Sequence, residues 1–170
     1  WDRDSDTIYV TDCYRRSEPG IAGHSMAVRA RGDWVPIAWP HDGLQRDKGG
    51  SGEQLAKQYK DQGLNMLKDR TTFEDGTNGV EAGLSEMLTR MQTMRLRVFA
   101  HLEDWFEEFR LYHRKDGMVV KISDDLMSAT RYAMMSRRFA KTQEEAEGRL
   151  RTVRSAPTLQ YNVFDPVTGY

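Results

Sequence analysis

A chain of 170 residues, 38% hydrophobic and 30% charged, is long enough for one domain with a real core and too apolar to stay disordered. No apolar run approaches the roughly 18 residues that a membrane span requires, and the single cysteine, Cys13, excludes an internal disulfide framework and a cysteine-based zinc cluster. Its 25 Lys and Arg against 26 Asp and Glu exclude a uniformly basic nucleic-acid coat but leave room for a locally basic groove.

The chain opens at Trp1-Asp2 without an initiator methionine or a signal-peptide pattern, and reads as a fragment of something longer. Polar Asp2 to Asp6 suits a hairpin tip, and the alternation through Thr7-Ile8-Tyr9-Val10-Thr11-Asp12-Cys13-Tyr14 predicts a strand. Ile21 to Arg31 carries a weak helical pattern, and Val35-Pro36-Ile37-Ala38-Trp39 is a short apolar run of the kind that forms a buried strand. A glycine-dense loop, Gly43 to Gly52, precedes a helix over Glu53 to Asp61 that Gly63 closes as a C′ residue. Leu64 to Leu67 is a short strand and Thr71 to Asn78 a loop.

Leu84, Met87, Leu88 and Met91 form one apolar stripe at helical spacing, with Met94 counted among the core methionines. Leu96 to Phe99 reads as a strand. His101 to Lys115 reads as a helix with Leu102, Trp105, Phe106, Phe109 and Tyr112 inward and Glu103, Asp104, Glu107, Glu108 and Arg110 mostly outward. Asp116-Gly117 then turns into a strand over Met118 to Ile122, and Ser123-Asp124-Asp125 opens a last core helix running to about Ala140. Alternating strands and helices predict a layered α/β sheet over residues 1–140. Residues 141–170 form a charged helix followed by an aperiodic tail from Ser155 to Tyr170.

Two places carry candidate chemistry. Asp42 sits just past an apolar strand, where open α/β sheets place their ligands, or else it caps a turn. Asp124 and Asp125 follow a strand and start a helix, so one of them serves as N-cap acceptor or the pair forms part of a site. Both places lie at the C-terminal ends of predicted strands, and a parallel arrangement would bring them to one sheet edge. Carboxylates gathered there need a compensating cation, and oxygen ligands favour Mg²⁺ or Mn²⁺ over zinc. Such clusters support metal-assisted attack on phosphodiesters.

Other motifs fail. Gly-x₄-Gly-Lys-Ser/Thr does not occur, and His24, His41, His101 and His113 show no metal-binding spacing. Cys13 reads as a packing residue. His41 adjoins Asp42 and is a candidate phosphate contact. Between positions 131 and 154 seven basic residues (Arg131, Arg137, Arg138, Lys141, Arg149, Arg151, Arg154) face three acids, Glu144, Glu145 and Glu147. That excess suits a grip on a DNA backbone or, equally, a solvated helix face.

The run Trp34-Val-Pro-Ile-Ala-Trp-Pro-His-Asp42-Gly, the glycine-rich loop with its helix, and Asn78-Gly-Val-Glu81-Ala-Gly form one half of a pattern. Phe106-Glu-Glu-Phe-Arg-Leu-Tyr112-His-Arg-Lys and Lys121-Ile-Ser-Asp124-Asp125-Leu-Met-Ser-Ala129-Thr-Arg131-Tyr132-Ala form the other. In this order and spacing they resemble the C-terminal nuclease domain of the large terminase subunit of tailed bacteriophages, over about residues 1–140. The resemblance implies an RNase H-like fold: a mixed sheet flanked by helices, here lacking its first strand and most of its second. It implies an endonuclease that cuts concatemeric double-stranded DNA during genome packaging, with two Mg²⁺ or Mn²⁺ ions held by Asp42, by one or both of Asp124 and Asp125, and by an aspartate on a strand preceding Trp1.

The same resemblance implies an ATPase domain upstream, so that ATP acts only outside this chain. Its partners would be duplex DNA, a portal protein and a small terminase subunit, in the host cytoplasm during phage assembly and with no membrane. Ser128 stands where the family's Asp-Asp-x-x-Asp-Ala pattern has its later acid. With one ligand before Trp1, the fragment alone is expected to be inactive. DNA contacts would come from His41, Arg131, Arg137, Arg138 and Lys141. Two other readings stand beside this one: a non-catalytic module docking on portal or DNA, and another RNase H-like nuclease such as a junction resolvase.

Overall fold

The computed structural model describes residues 1–17, 20–46, 54–120 and 122–154, with side chains up to residue 148. Residues 18 and 19, much of the glycine-rich loop (47–53), Lys121, the side chains of Arg149, Arg151 and Arg154, and the Ser155–Tyr170 tail fall outside that description. The chain divides into two units, Trp1–Ala140 and Lys141–Tyr170.

The first unit is built on a parallel strand pair. The polar Asp2–Asp6 turn closes through Asp2 N to Thr7 O (2.9 Å) and Thr7 N to Asp2 O (3.1 Å), and leads into β1, Ile8–Val10. β1 lies parallel to β2, Leu96–Val98, in the register Ile8↔Leu96, Tyr9↔Arg97, Val10↔Val98. β-branched and large apolar residues at alternate positions suit this pairing, because one face of the pair meets the helices. Between the strands run α1 (Gly20–Arg29), α2 (Leu55–Asp61) and α3 (Val80–Gln92). After β2 come α4 (Glu103–Leu111), the two-residue strands β3 (Arg114–Lys115) and β4 (Met118–Val119), and α5 (Asp125–Met135). This is the expected α/β architecture.

The core joins β1 and β2 to α3, α4 and α5. Met87, Leu96, Leu102, Trp105, Leu126, Met127 and Met134 are buried together, with Ile8, Val10, Cys13, Leu84 and Phe106 packed against them. Trp105 stacks on Phe109 (5.3 Å, 13°) and meets Phe106 edge-on. Its indole N–H donates to Thr130 Oγ1 at 2.9 Å, so the ring is buried without an orphaned donor.

Several expectations change. Val35–Trp39 and Leu64–Leu67 meet in a single parallel bridge, Ile37↔Met66, rather than forming full strands. The helix expected to reach Lys115 ends at Leu111, because Arg114–Lys115 pairs back on Met118–Val119 across Asp116-Gly117. Both turn residues have positive φ (52° and 79°), which matches the twist a two-residue hairpin needs. The strand expected over Met118 to Ile122 is therefore an isolated antiparallel ribbon, and it does not carry Asp124 to a parallel sheet edge. On α3, Leu88 is 56% exposed while Arg90 is buried, and Met94 beyond the helix is 64% exposed.

In the second unit α6, Gln143–Arg154, begins with a reciprocal cap. Glu145 N donates to Thr142 Oγ1 (3.1 Å) and Thr142 N donates to Glu145 Oε2 (2.8 Å).

Candidate active site

Asp42 is presented by a tightly anchored turn. Ile37 N donates to Asn65 O (2.9 Å), Leu67 N to Ile37 O (2.9 Å) and Thr71 N to Trp39 O (2.8 Å), while the Trp39 indole donates to Leu67 O (2.7 Å). Pro40 then leads into a 3₁₀ turn, His41–Leu44, closed by Gln45 N to Asp42 O at 2.9 Å. Gly43 is required in this turn: a Cβ there would lie 2.5 Å from the Trp39 ring and 3.1 Å from Ala56 Cβ of α2. The glycine lets the turn close down on Trp39 and α2 while the Asp42 carboxylate stays exposed. Its one hydrogen bond among the described residues is a long one from Gln45 Nε2, 3.3 Å. His41 beside it is exposed.

Asp124 and Asp125 sit together at the start of α5. Asp124 occupies the N-cap position, half-buried, after Ser123 at φ 50°. The cap reading predicts that its carboxylate accepts from the first free N–H groups of the helix. It does not; it accepts a 3.3 Å bond from Ser128 Oγ. Those N–H groups are taken by Glu108, from α4. Leu126 N and Met127 N both donate to Glu108 Oε2 (2.7 and 3.2 Å), and Arg15 Nη1 pairs with Glu108 Oε1 at 2.6 Å. Glu108 is 1% exposed, a correction to the outward position its charge suggested.

The pairing has a clear cause. A charge this deep needs compensation, and the helix N-terminus and the guanidinium supply it from two sides. The Glu108 carboxylate in turn holds the Arg15 guanidinium more firmly protonated than usual. Asp125 is exposed and has no ion pair among the described residues.

Tyr112 borders this end of α5. Burial raises its hydroxyl above the ordinary tyrosine value, and the Asp124 charge adds to the rise. Arg114 forms a forked pair with Glu81 (2.9 and 2.5 Å).

Among the described acids of the unit that are not fully exposed, Asp6, Glu86 and Glu108 pair with arginine and Asp124 does not. Asp42 and Asp125 are exposed, like Asp69, Glu74, Asp75, Glu103, Asp104 and Asp116, which also have no ion pair among the described residues. Exposed Asp12, Asp33 and Glu81 are each neutralised by arginine. The three candidate carboxylates have no such partner among the described residues. Their donor chemistry fits a hard divalent cation. They are not gathered into a complete site: among the described residues no group of three or more His, Cys, Asp or Glu is close enough to hold a metal ion.

The basic residues read as DNA contacts separate in the structure. Arg131 is 3% exposed, its guanidinium 4.3 Å from the Tyr132 ring and its stem against Gly83, so it is a core residue and does not reach a phosphate. Arg137 is ion-paired with Glu86. Arg138 is exposed, lies on Phe139 and donates to the carbonyls of Thr72 and Met135 (both 2.9 Å). Lys141 is exposed, in the second unit. Of the remaining histidines, His24 sits edge-on to Tyr14 and His113 is exposed. Burial pushes the Cys13 thiol up, as suits a packing residue.

The profile of the Terminase RNaseH-like domain matches residues 1–137. Over 142 residues the chain is 49% identical to the terminase large subunit of Salmonella phage P22, covering 83% of this chain and 28% of that protein. It is 48% identical over 138 residues to the large subunit of Enterobacteria phage LP7, covering 81% of this chain and 29% of that one. The fold superposes on the structure of the P22 large terminase nuclease domain with a TM-score of 0.78 at 47% identity, over 86% of this chain and 75% of the other. The chain thus spans less than a third of the length of these two relatives.

Proposed function

The chain belongs to the Terminase RNaseH-like domain family, and from that premise we propose that it is the metal-dependent endonuclease domain of a phage DNA-packaging terminase large subunit. The observation that supports this reading is the state of three carboxylates. Asp42 is held out by a turn that only glycine can close, while Asp124 and Asp125 lie at a helix start whose N–H groups Glu108 already occupies. Arginines neutralise the other described acids that are buried or half-buried, Asp6, Glu86 and Glu108, whereas half-buried Asp124 has no cation among the described residues, with exposed Asp125 next to it in sequence.

Asp42, Asp124 and Asp125 would hold Mg²⁺ or Mn²⁺ together with an aspartate from an upstream strand. The bound ions would stabilise charge on the attacking and leaving oxygens of a phosphodiester. The chain's own residues do the positioning. Glu108 and Arg15 fix the first turn of α5, Ser128 orients Asp124, and Trp39 with Gly43 fixes the turn that presents Asp42. Contacts to phosphates alone give little sequence preference. The parent protein would cut concatemeric duplex DNA in the host cytoplasm, with portal and small subunit as partners and ATP used in an upstream domain.

Plasmid nicking in Mn²⁺, by a protein carrying the upstream aspartate strand, tests the reading. Removing a metal ligand is more damaging than removing its supporting partner, which alone costs roughly 10- to 100-fold. Asp42→Ala is therefore expected to lose at least about a hundredfold in nicking. Undiminished cutting by that variant removes the assignment.

A further inference from the structure

A cleft of about 890 Å³ lies between α2 and the segment from Met66 to Thr72. Its apolar lining includes Trp39, Leu44, Met66 and Leu67. Trp39 and Leu44 flank the turn that carries Asp42, so the cleft abuts that turn directly. Around it stand four cations, Lys57 and Lys60 from α2 and Lys68 and Arg70 from the facing segment, against two acids, Asp61 and Asp69. Asp61 is engaged by Lys57 at 2.8 Å. That leaves Lys60, Lys68 and Arg70 against one acid of the lining, Asp69.

A second observation is independent of the charge count. Arg70 Nη1 is buried and meets no hydrogen-bond acceptor among the described residues. A buried guanidinium donor without an acceptor is costly, and an anionic oxygen entering the cleft relieves that cost. Lysines on the walls, an arginine donor awaiting an acceptor and a wide, open shape suit a phosphate chain rather than a small enclosed ligand.

We propose that this cleft binds the sugar-phosphate backbone of duplex DNA and leads it to Asp42. The proposal rests on the nuclease reading for its partner. It moves the principal DNA contacts away from the basic stretch after Arg131, where Arg131 is buried and Arg137 is paired.

The test is fluorescence anisotropy of the full chain with two fluorescein-labelled duplexes of unrelated sequence, between 50 and 200 mM salt and without divalent metal. Each phosphate contact contributes about 0.9 to the slope of log affinity against log salt. The double variant Lys60→Gln/Lys68→Gln is expected to bind both duplexes roughly tenfold more weakly at 50 mM salt, with a slope shallower by about 1.8. Both side chains are exposed, and an unchanged melting temperature checks that the fold is kept. Arg110→Gln/Lys115→Gln, at exposed positions that are not in the cleft's lining, is expected to bind like the parent chain.

Equal affinity and slope for the cleft variant, an equal loss in the Arg110/Lys115 variant, or no duplex binding by the parent chain at 50 mM salt would each overturn the proposal. Asp42→Ala, read in the nicking assay on the protein that carries the upstream strand, keeps the two questions apart. If it still cuts, the nuclease reading fails whatever the anisotropy shows; if it stops cutting while the cleft variant binds normally, only the cleft assignment fails.

Discussion

Replacing Glu108 by alanine removes three interactions at once: the Arg15 pair at 2.6 Å and the acceptor of Leu126 N and Met127 N at 2.7 and 3.2 Å. Leu126 and Met127 are 5% and 1% exposed, so water does not replace that acceptor. Each orphaned buried N–H costs about 1–3 kcal/mol. Arg15, whose side chain is 32% exposed, can turn toward solvent and contributes less. Loss of one partner from a buried pair costs about 3–5 kcal/mol, and the three contributions together put Glu108→Ala at about 3–4 kcal/mol.

Glu108→Gln keeps a neutral oxygen for the helix N–H groups and loses only the charge assistance, which places it at about 1–2 kcal/mol. Urea unfolding of the chain measures both values, and amide exchange at Leu126 and Met127 reports the cap itself. The alanine variant should speed exchange at those two amides while the β1–β2 amides keep their protection. A cost below about 1 kcal/mol for Glu108→Ala, or equal costs for alanine and glutamine, would refute the reasoning.

Two further outcomes follow from packing and charge. In Gly83→Ala the new Cβ would lie 2.6 Å from Cγ and Cδ of buried Arg131, so it should destabilise by about 1–3 kcal/mol despite better helix propensity. In an Arg131→Ala background the same change should cost nothing, which a double-mutant unfolding cycle reads directly. For Asp6, partial burial pushes the carboxyl up, but hydrogen bonds from Trp1 and Arg90 and the arginine charges bring it below its ordinary value. A lowered folded value means the stabilisation is complete above the unfolded carboxylate value of about 3.9 and is lost as pH falls through the lower one. Asp6→Asn should therefore cost about 1–2 kcal/mol at pH 7, a figure already reduced for its 37% exposure, and the gap to the parent chain should close in urea titrations below about pH 4.

What could be read in the sequence was whatever depends on local period. α3, α4 and α5 show it in their apolar spacing, β1 and β2 in their β-branched alternation, and the Asp2–Asp6 and Asp116-Gly117 turns in their residue types. Glu108 was not legible. Glu103, Asp104, Glu107 and Glu108 look alike along α4, and only Arg15, 93 residues earlier, and the start of α5 decide which of them is buried. Arg131 did leave a signal: it follows Met127 by four positions and precedes Met134 and Met135 by three and four, on the buried stripe of α5. Position should have outweighed charge there, as it should for Arg90, three residues beyond Met87 on α3. The cleft of Lys57, Lys60, Lys68 and Arg70 combines two segments with no charge run in either, so composition gave no sign of it.

The two readings of Asp124 and Asp125, helix cap or site, bear on electrostatics as well as geometry. If either carboxylate served the helix N–H groups, its charge would be spent within the fold, and Glu108 would have no reason to be buried. With Glu108 serving them and balanced by Arg15 and the helix dipole, Asp124 and Asp125 stand at the same helix start with no ion pair among the described residues. Like charges placed side by side repel, and a cation near them offsets the repulsion. A divalent ion shared with Asp42 is the offset that the proposed activity supplies. Mn²⁺ should therefore bind more weakly to Asp124→Asn/Asp125→Asn than to the parent chain, while the Glu108 cap, and with it exchange at Leu126 and Met127, stays as it was.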